Sequence, residues 1–253
     1  MPVDLSSSTY VAILLLACLS IIATLIGVTL AIWIGRNDSI LAAGIGFSAG
    51  IMLLISFFEL LPEGFSKGGV LPALAAFALG MFLVAALHWL IPHTHLIREN
   101  GAFGPHAIRT AYLVAFGLIL HDVPEGMAMA NSYIHSPSLG ILVALAIALH
   151  NIPEEFAMAA PIVAIRQKRF LYRAAFLSAL AEPLGAVVGL VAANVQPALN
   201  SLFMVFAAGA MVFVSVHELL PLARTYQKTR QFIFGALASV LVYGLLGLGL
   251  GLD

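Results

Sequence analysis

Eight apolar runs, each about 20 residues or longer, divide this chain near 10–34, 40–62, 70–92, 108–131, 138–163, 171–195, 199–222 and 232–252. A run of that length crosses a bilayer. In lipid the backbone must satisfy its own hydrogen bonds, which leaves only helices and closed barrels. No alternation of polar and apolar residues accompanies the runs, so a barrel is excluded. The fold class read from the sequence is therefore an all-α membrane protein with eight transmembrane helices. Composition agrees: 9% of residues are charged and 62% apolar, against about 25% charged in an average soluble domain. Residues 1–253 read as a single polytopic transmembrane domain, and the longest linker, 93–107, carries His93, His95 and His106. The first run exceeds the length of a signal-peptide core, and Met1 to Thr9 holds Asp4 but no Lys or Arg, so a retained span is expected. Cys18, the only cysteine, has no intrachain partner for a disulfide.

Basic residues orient the spans, because Lys and Arg of short loops stay on the cytoplasmic side. Arg36 lies in the first loop, Arg98 and Arg109 flank the third, Arg166, Lys168, Arg169 and Arg173 crowd the fifth, and Arg224, Lys228 and Arg230 fill the seventh. Only Lys67 falls in an even loop. Both termini are thus expected outside. A net charge of −1 argues against a nucleic-acid partner, and the cluster at 166–173 is read as a topology signal.

Within this frame one decapeptide occurs twice. His121-Asp122-Val123-Pro124-Glu125-Gly126-Met127-Ala128-Met129-Ala130 returns 29 residues later as His150-Asn151-Ile152-Pro153-Glu154-Glu155-Phe156-Ala157-Met158-Ala159. With eight spans the two copies run in opposite directions, as in transporters built from inverted repeats with a site near the midplane. A second echo joins span two (Ala49-Gly50-Ile51-Met52 through Phe58-Glu59-Leu60-Leu61-Pro62) to span seven (Ala208-Gly209-Ala210-Met211 through His217-Glu218-Leu219-Leu220-Pro221). The expected arrangement is 3+2+3: three helices, a central pair, and three that mirror the first set.

Glu59, Asp122, Glu125, Glu154, Glu155, Glu182 and Glu218 all fall within apolar spans, with no Lys or Arg among them. An ionised carboxylate at mid-bilayer costs about 2.5–3.5 kcal/mol even on the lenient insertion scale. The compensating charge must come from protons or a bound cation. Histidine and glutamate at i and i+4 project from one helix face, as His121 with Glu125 and His150 with Glu154. Mixed nitrogen and oxygen ligation suits Zn²⁺, Fe²⁺, Mn²⁺ or Co²⁺ better than Mg²⁺ or Ca²⁺. Pro124 and Pro153 cannot donate to the carbonyls of Leu120 and Leu149, so both helices are expected to kink beside a polar path. Asp122 and Asn151, next to the histidines, are expected to reach the same cavity.

The twin His-x-x-Pro-Glu motifs, the eight spans with both termini outside, and Ala181-Glu182-Pro183-Leu184-Gly185 in span six resemble the ZIP (Zrt/Irt-like) divalent metal transporters, in particular their bacterial ZupT/GufA-like branch. The resemblance covers nearly the whole chain. It implies movement of zinc, and of iron, manganese, cobalt or cadmium, towards the cytoplasm, with no catalytic cofactor. It also implies a multi-pass protein of the cell membrane, the inner membrane in a bacterium, and a homodimer is compatible with it. By this resemblance His121, Glu125, His150 and Glu154 bind the primary metal, and Glu154 bridges to a second site that includes Asp122, Asn151 and Glu182. Two positions depart from the family pattern. Asp122 stands where Asn is usual and Glu155 where Gly is usual, and both add a carboxylate, making the site harder. Glu155 either joins the site or pairs with a polar group on another helix.

Other polar residues have a plainer reading beside the functional one. Glu59, His217 and Glu218 serve either as interfacial anchors or as a vestibule, while Met127, Met129 and Met158 are read as packing. Gly46 with Gly50 and Gly185 with Gly189 permit close helix contact. The competing class is an intramembrane metal-dependent hydrolase, but the chain has no His-Glu-x-x-His and no Gly-x-Ser-x-Gly. An exporter differs from an importer only in the direction of net flow, which the sequence leaves open.

Overall fold

The computed structural model describes residues 6–90, 121–164 and 166–251. Helix α1 (Ser7–Ala17) opens on Ser6, whose hydroxyl accepts the Thr9 amide, and continues past a break at Cys18 as α2 (Leu19–Ile34). Asn37 caps α3 (Asp38–Ile55) by accepting the amides of Ser39 and Ile40, and Asp38 in the first turn complements the helix dipole. A π-turn at Ser56–Leu60 leads into α4 (Leu61–Gly68), and Gly69 at φ 76° turns the chain into α5 (Val70–Leu90). After α6 (121–135) come α7 (Pro137–Ala164), α8 (Lys168–Val195) and α9 (Leu199–Val214). A second π-turn at Ser215–Leu219, then α10 (Leu220–Thr225) and α11 (Thr229–Leu250) complete the chain.

Among the described residues there is no strand, and seven helical stretches are long and apolar enough to cross a membrane. The fourth expected span, 108–131, lies outside the described residues up to 120; the rest is helical and runs on to 135. His93, His95 and His106 also lie outside them. Elsewhere the spans agree with the sequence to within a few residues, except that span two extends to Gly68. Most of α7 is buried, whereas α5 and α11 are largely exposed, which puts α7 at the centre and those two at the rim. The rim presents Trp33, Leu71, Phe82, Phe234 and Leu248, large apolar side chains that suit lipid.

Helix α2 packs on α7, α3 on α11, and α5 on α9. Helices α3 and α9 cross in opposite directions: Ser56 Oγ donates to Met211 Sδ (3.8 Å), and Ser215 Oγ, which donates to the Met211 carbonyl oxygen at 2.8 Å, lies 3.7 Å from Met52 Sδ. Each partner in one contact lies 159 residues from its counterpart in the other, the same offset that separates the two π-turns. Small residues set the closest approaches, as expected. A Cβ on Gly126 would sit 2.0 Å from the Glu182 carbonyl oxygen and one on Gly185 2.1 Å from that of Val123, so α6 and α8 meet backbone to backbone.

Candidate metal centre

The two copies of the decapeptide face each other on α6 and α7 at the middle of the bundle. His121, Asp122, Glu125, His150, Asn151, Glu154 and Glu155 are all buried, as is Glu182 on α8; Glu125 and His150 are 0% exposed. The sequence pairs histidine and glutamate along each helix. The fold pairs them across helices instead. His121 Nε2 lies 2.6 Å from Glu154 Oε1 and His150 Nε2 lies 3.3 Å from Glu125 Oε1, whereas the same-helix pair His150 and Glu154 is 3.9 Å apart. The crossing follows from antiparallel helices that carry one motif at one depth, so the first residue of each copy meets the fifth of the other.

His150 has a defined tautomer. Its Nδ1 is 3.0 Å from the Ala146 carbonyl oxygen, which can only accept, so Nδ1 carries a hydrogen. In the neutral ring the Nε2 lone pair then points at Glu125, and two electron-rich atoms at that distance need a cation or a proton between them. Several buried atoms lack a partner in hydrogen-bond geometry: both ring nitrogens of His121, Glu125 Oε2, both carboxylate oxygens of Glu154, and Glu155 Oε2, so the 2.6 Å contact of His121 with Glu154 is a close approach rather than an aligned bond. Among the described residues no three or more His, Cys, Asp or Glu side chains are arranged to hold a metal ion as placed, because nitrogens and oxygens face one another. A cation would take its ligands by replacing those contacts.

Around the crossed pairs lies a layer of polar side chains. Asn151 Nδ2 donates to Glu182 Oε1, joining α7 to α8. Ser178 Oγ on α8 is 2.7 Å from Asp122 Oδ2 and also contacts Glu155 Oε1, which Thr24 Oγ1 on α2 approaches at 3.3 Å. Glu155 thus pairs with hydroxyls of other helices while staying beside Asp122. The expected second group of Asp122, Asn151 and Glu182 is divided between these two sets. Ser178, Thr24 and Ser48 escaped the sequence reading, since a lone hydroxyl in an apolar helix is common. One signal existed: Ser20, Thr24 and Gly27 have the spacing of Ser178, Glu182 and Gly185.

Helices α6 and α7 both continue through their prolines. One residue along from the Leu149 carbonyl that Pro153 leaves without its helical donor, Ser48 Oγ donates to the His150 carbonyl oxygen at 2.8 Å. Met127, Met129 and Met158 are buried in the core. Glu59 accepts from Tyr243, His217 stacks on Phe213 with ring centroids 4.5 Å apart, and His135 pairs with Glu63 at 2.8 Å.

Residues 97–249 match the sequence profile described as the ZIP Zinc transporter family. The chain is 39% identical over 243 residues to the zinc transporter ZupT of Enterobacter sp. (strain 638), covering 92% of this chain and 94% of that one. The ZupT proteins of Escherichia fergusonii and Salmonella newport are each 38% identical over 246 residues at the same coverage.

Proposed function

From the premise that this chain belongs to the ZIP zinc transporter family, we propose that it moves zinc ions towards the cytoplasm through a site on α6 and α7. The observation that carries this reading is the crossed pairing of His121 with Glu154 and His150 with Glu125, buried at the centre of a multi-pass membrane protein. Imidazole and carboxylate together form a donor set suited to zinc, and also to Fe²⁺, Mn²⁺, Co²⁺ and Cd²⁺. His121, Glu125, His150 and Glu154 take the first ion. Asp122, Asn151 and Glu182 serve a neighbouring position.

Eight spans in a 3+2+3 inverted repeat fit the reciprocal Ser56–Met211 and Ser215–Met52 contacts, the two π-turns, and the two crossed pairs. Orientation has support of its own. Glu63 with His135, the Asn131 carbonyl with Asn200, and Tyr10 with Asn194 gather the N-terminus and the even loops at one end. Burial holds the Tyr226 hydroxyl above its usual range while the nearby Arg36 charge works against that, so loops one and seven share the other end. That end carries most of the basic residues and is cytoplasmic.

In this mechanism a hydrated ion exchanges waters stepwise for the ligands of α6 and α7. Each imidazole–carboxylate contact opens as the ion replaces it. Release requires that binding stay moderate, since too many ionised ligands would trap the ion. The test is ⁶⁵Zn²⁺ uptake into proteoliposomes with the native chain, Glu154→Ala and empty vesicles. Uptake above empty vesicles that collapses in the variant is expected; equal flux in both proteins would remove Glu154 from the path.

A further inference from the structure

The twin motifs differ at one position whose consequence is structural. Gly126 in the first copy corresponds to Glu155 in the second. At Gly126 the α8 backbone comes so close that a Cβ would lie 2.0 Å from the Glu182 carbonyl oxygen, which leaves no room for a side chain. At the other copy α2 approaches through Gly27, the counterpart of Gly185, where a Cβ would lie 2.5 Å from the Ile152 carbonyl oxygen and 2.7 Å from the Cβ of Glu155. Thr24 occupies the position in α2 that Glu182 holds in α8, by the spacing of Ser20, Thr24 and Gly27 against Ser178, Glu182 and Gly185. The acids of this layer therefore fall on different helices in the two copies: Asp122 on α6 with Glu182 on α8, against Glu155 on α7. Glu182 reaches Asn151, and Glu155 comes to Ser178 and, through it, to Asp122.

A hydroxyl has one hydrogen, and Ser178 Oγ stands within bonding distance of two carboxylates. It can donate to only one of them. Glu155 Oε2 is buried without a hydrogen-bond partner, in a residue 6% exposed. Thr24 Oγ1 adds a further oxygen. Four helices thus bring two carboxylates and two hydroxyls together; His121 Nε2 approaches the far oxygen of Asp122 at 3.4 Å, while Glu155 contacts only hydroxyls. Such oxygen donors suit hard cations, whereas imidazole favours zinc.

We propose that Glu155, Asp122, Ser178 and Thr24 form an oxygen-only subsite that takes a hard divalent cation of the Mn²⁺ kind, with Glu155 as the residue that admits Mn²⁺ alongside zinc. The subsite rests on the transport reading above and adds a determinant of selectivity to it. Two measurements test it: Mn²⁺ and Zn²⁺ uptake by proteoliposomes, and Mn²⁺ bound to the detergent-purified full chain by electron paramagnetic resonance. Glu155→Gln keeps the acceptor for Ser178 and Thr24 while removing the charge; Glu155→Gly restores the residue of the first copy. Both variants are expected to raise the KM for Mn²⁺ by about 10- to 100-fold, the usual effect of losing a residue that supports a metal site, and to leave that for Zn²⁺ within about threefold. Bound Mn²⁺ should fall in parallel. Equal shifts for both metals, or no shift for either, would overturn the proposal. Native protein that takes up zinc but neither binds nor moves Mn²⁺ would overturn it too and leave the zinc reading standing. Folded native protein that moves neither metal would remove the transport reading itself.

Discussion

At the scale of single residues, what distinguishes the centre is which histidine meets which glutamate. Helical spacing alone couples His121 to Glu125, but the contact of 2.6 Å runs from His121 to Glu154. A double-mutant cycle on thermal stability in detergent separates the two. Alanine at His121 and Glu154 should show a coupling of about 0.5–3 kcal/mol, and alanine at His121 and Glu125 less than half of that. Equal couplings would return the pairing to the individual helices. Ser48 is a second case. Its hydroxyl serves the His150 carbonyl, so Ser48→Ala should lower stability by about 1 kcal/mol, the scale of hydrogen bonds between membrane helices, with a downward shift in melting temperature. The sequence singled out His121, Glu125, His150 and Glu154 because they are expensive in lipid and duplicated, and the fold brings them together. Ser48 was not legible, because a hydroxyl can satisfy itself on its own helix, and Thr24 and Ser178 left only the shared spacing of their two helices as a trace.

At the scale of elements, the glycines tell which helix faces are fixed and which are free. Gly126 and Gly185 hold α6 and α8 in backbone contact, so a methyl group at either must push the helices apart beside Glu182. Gly126→Ala and Gly185→Ala are expected to cost at least about 1–3 kcal/mol, the range for overpacking, and to reduce zinc uptake. Gly244 and Gly249 on α11 have nothing within 4 Å of a built Cβ, and alanine there should be neutral or slightly stabilising by helix propensity. Melting curves of the four variants check both halves; equal losses in all four would show that the α6–α8 contact is not limiting. The small-residue spacing of Gly185 and Gly189 pointed to close packing, but not to the partner helix. The π-turns at Ser56–Leu60 and Ser215–Leu219 had no local signature at all. Only their repetition 159 residues apart marks them, and repetition says that a feature matters without saying what shape it takes.

At the scale of the whole molecule, the proposed sidedness rests on charge and on which chain ends lie together. The apolar runs are legible because length alone identifies a candidate span, and seven helical stretches among the described residues meet that length; the loop Lys and Arg supply only the expected sidedness. The clustering of ends adds what charge cannot. The turn between α6 and α7 sits with the first turn of α4 through His135 and Glu63, and Arg36 sits by Tyr226 at the opposite end. The same clustering leads to a labelling experiment in whole cells of the host. Cys18 is exposed to the apolar surroundings and is replaced first by Ala. Cysteine is then placed singly at Ser136, between α6 and α7, or at Gln167, between α7 and α8. A membrane-impermeant maleimide added outside should modify the cysteine at 136 in intact cells and that at 167 only after permeabilisation. Since one helix, α7, separates the two positions, opposite accessibilities follow if α7 crosses the bilayer once. The reverse pattern would invert the molecule and the direction of the pathway with it; labelling of both in intact cells would mean that α7 does not span.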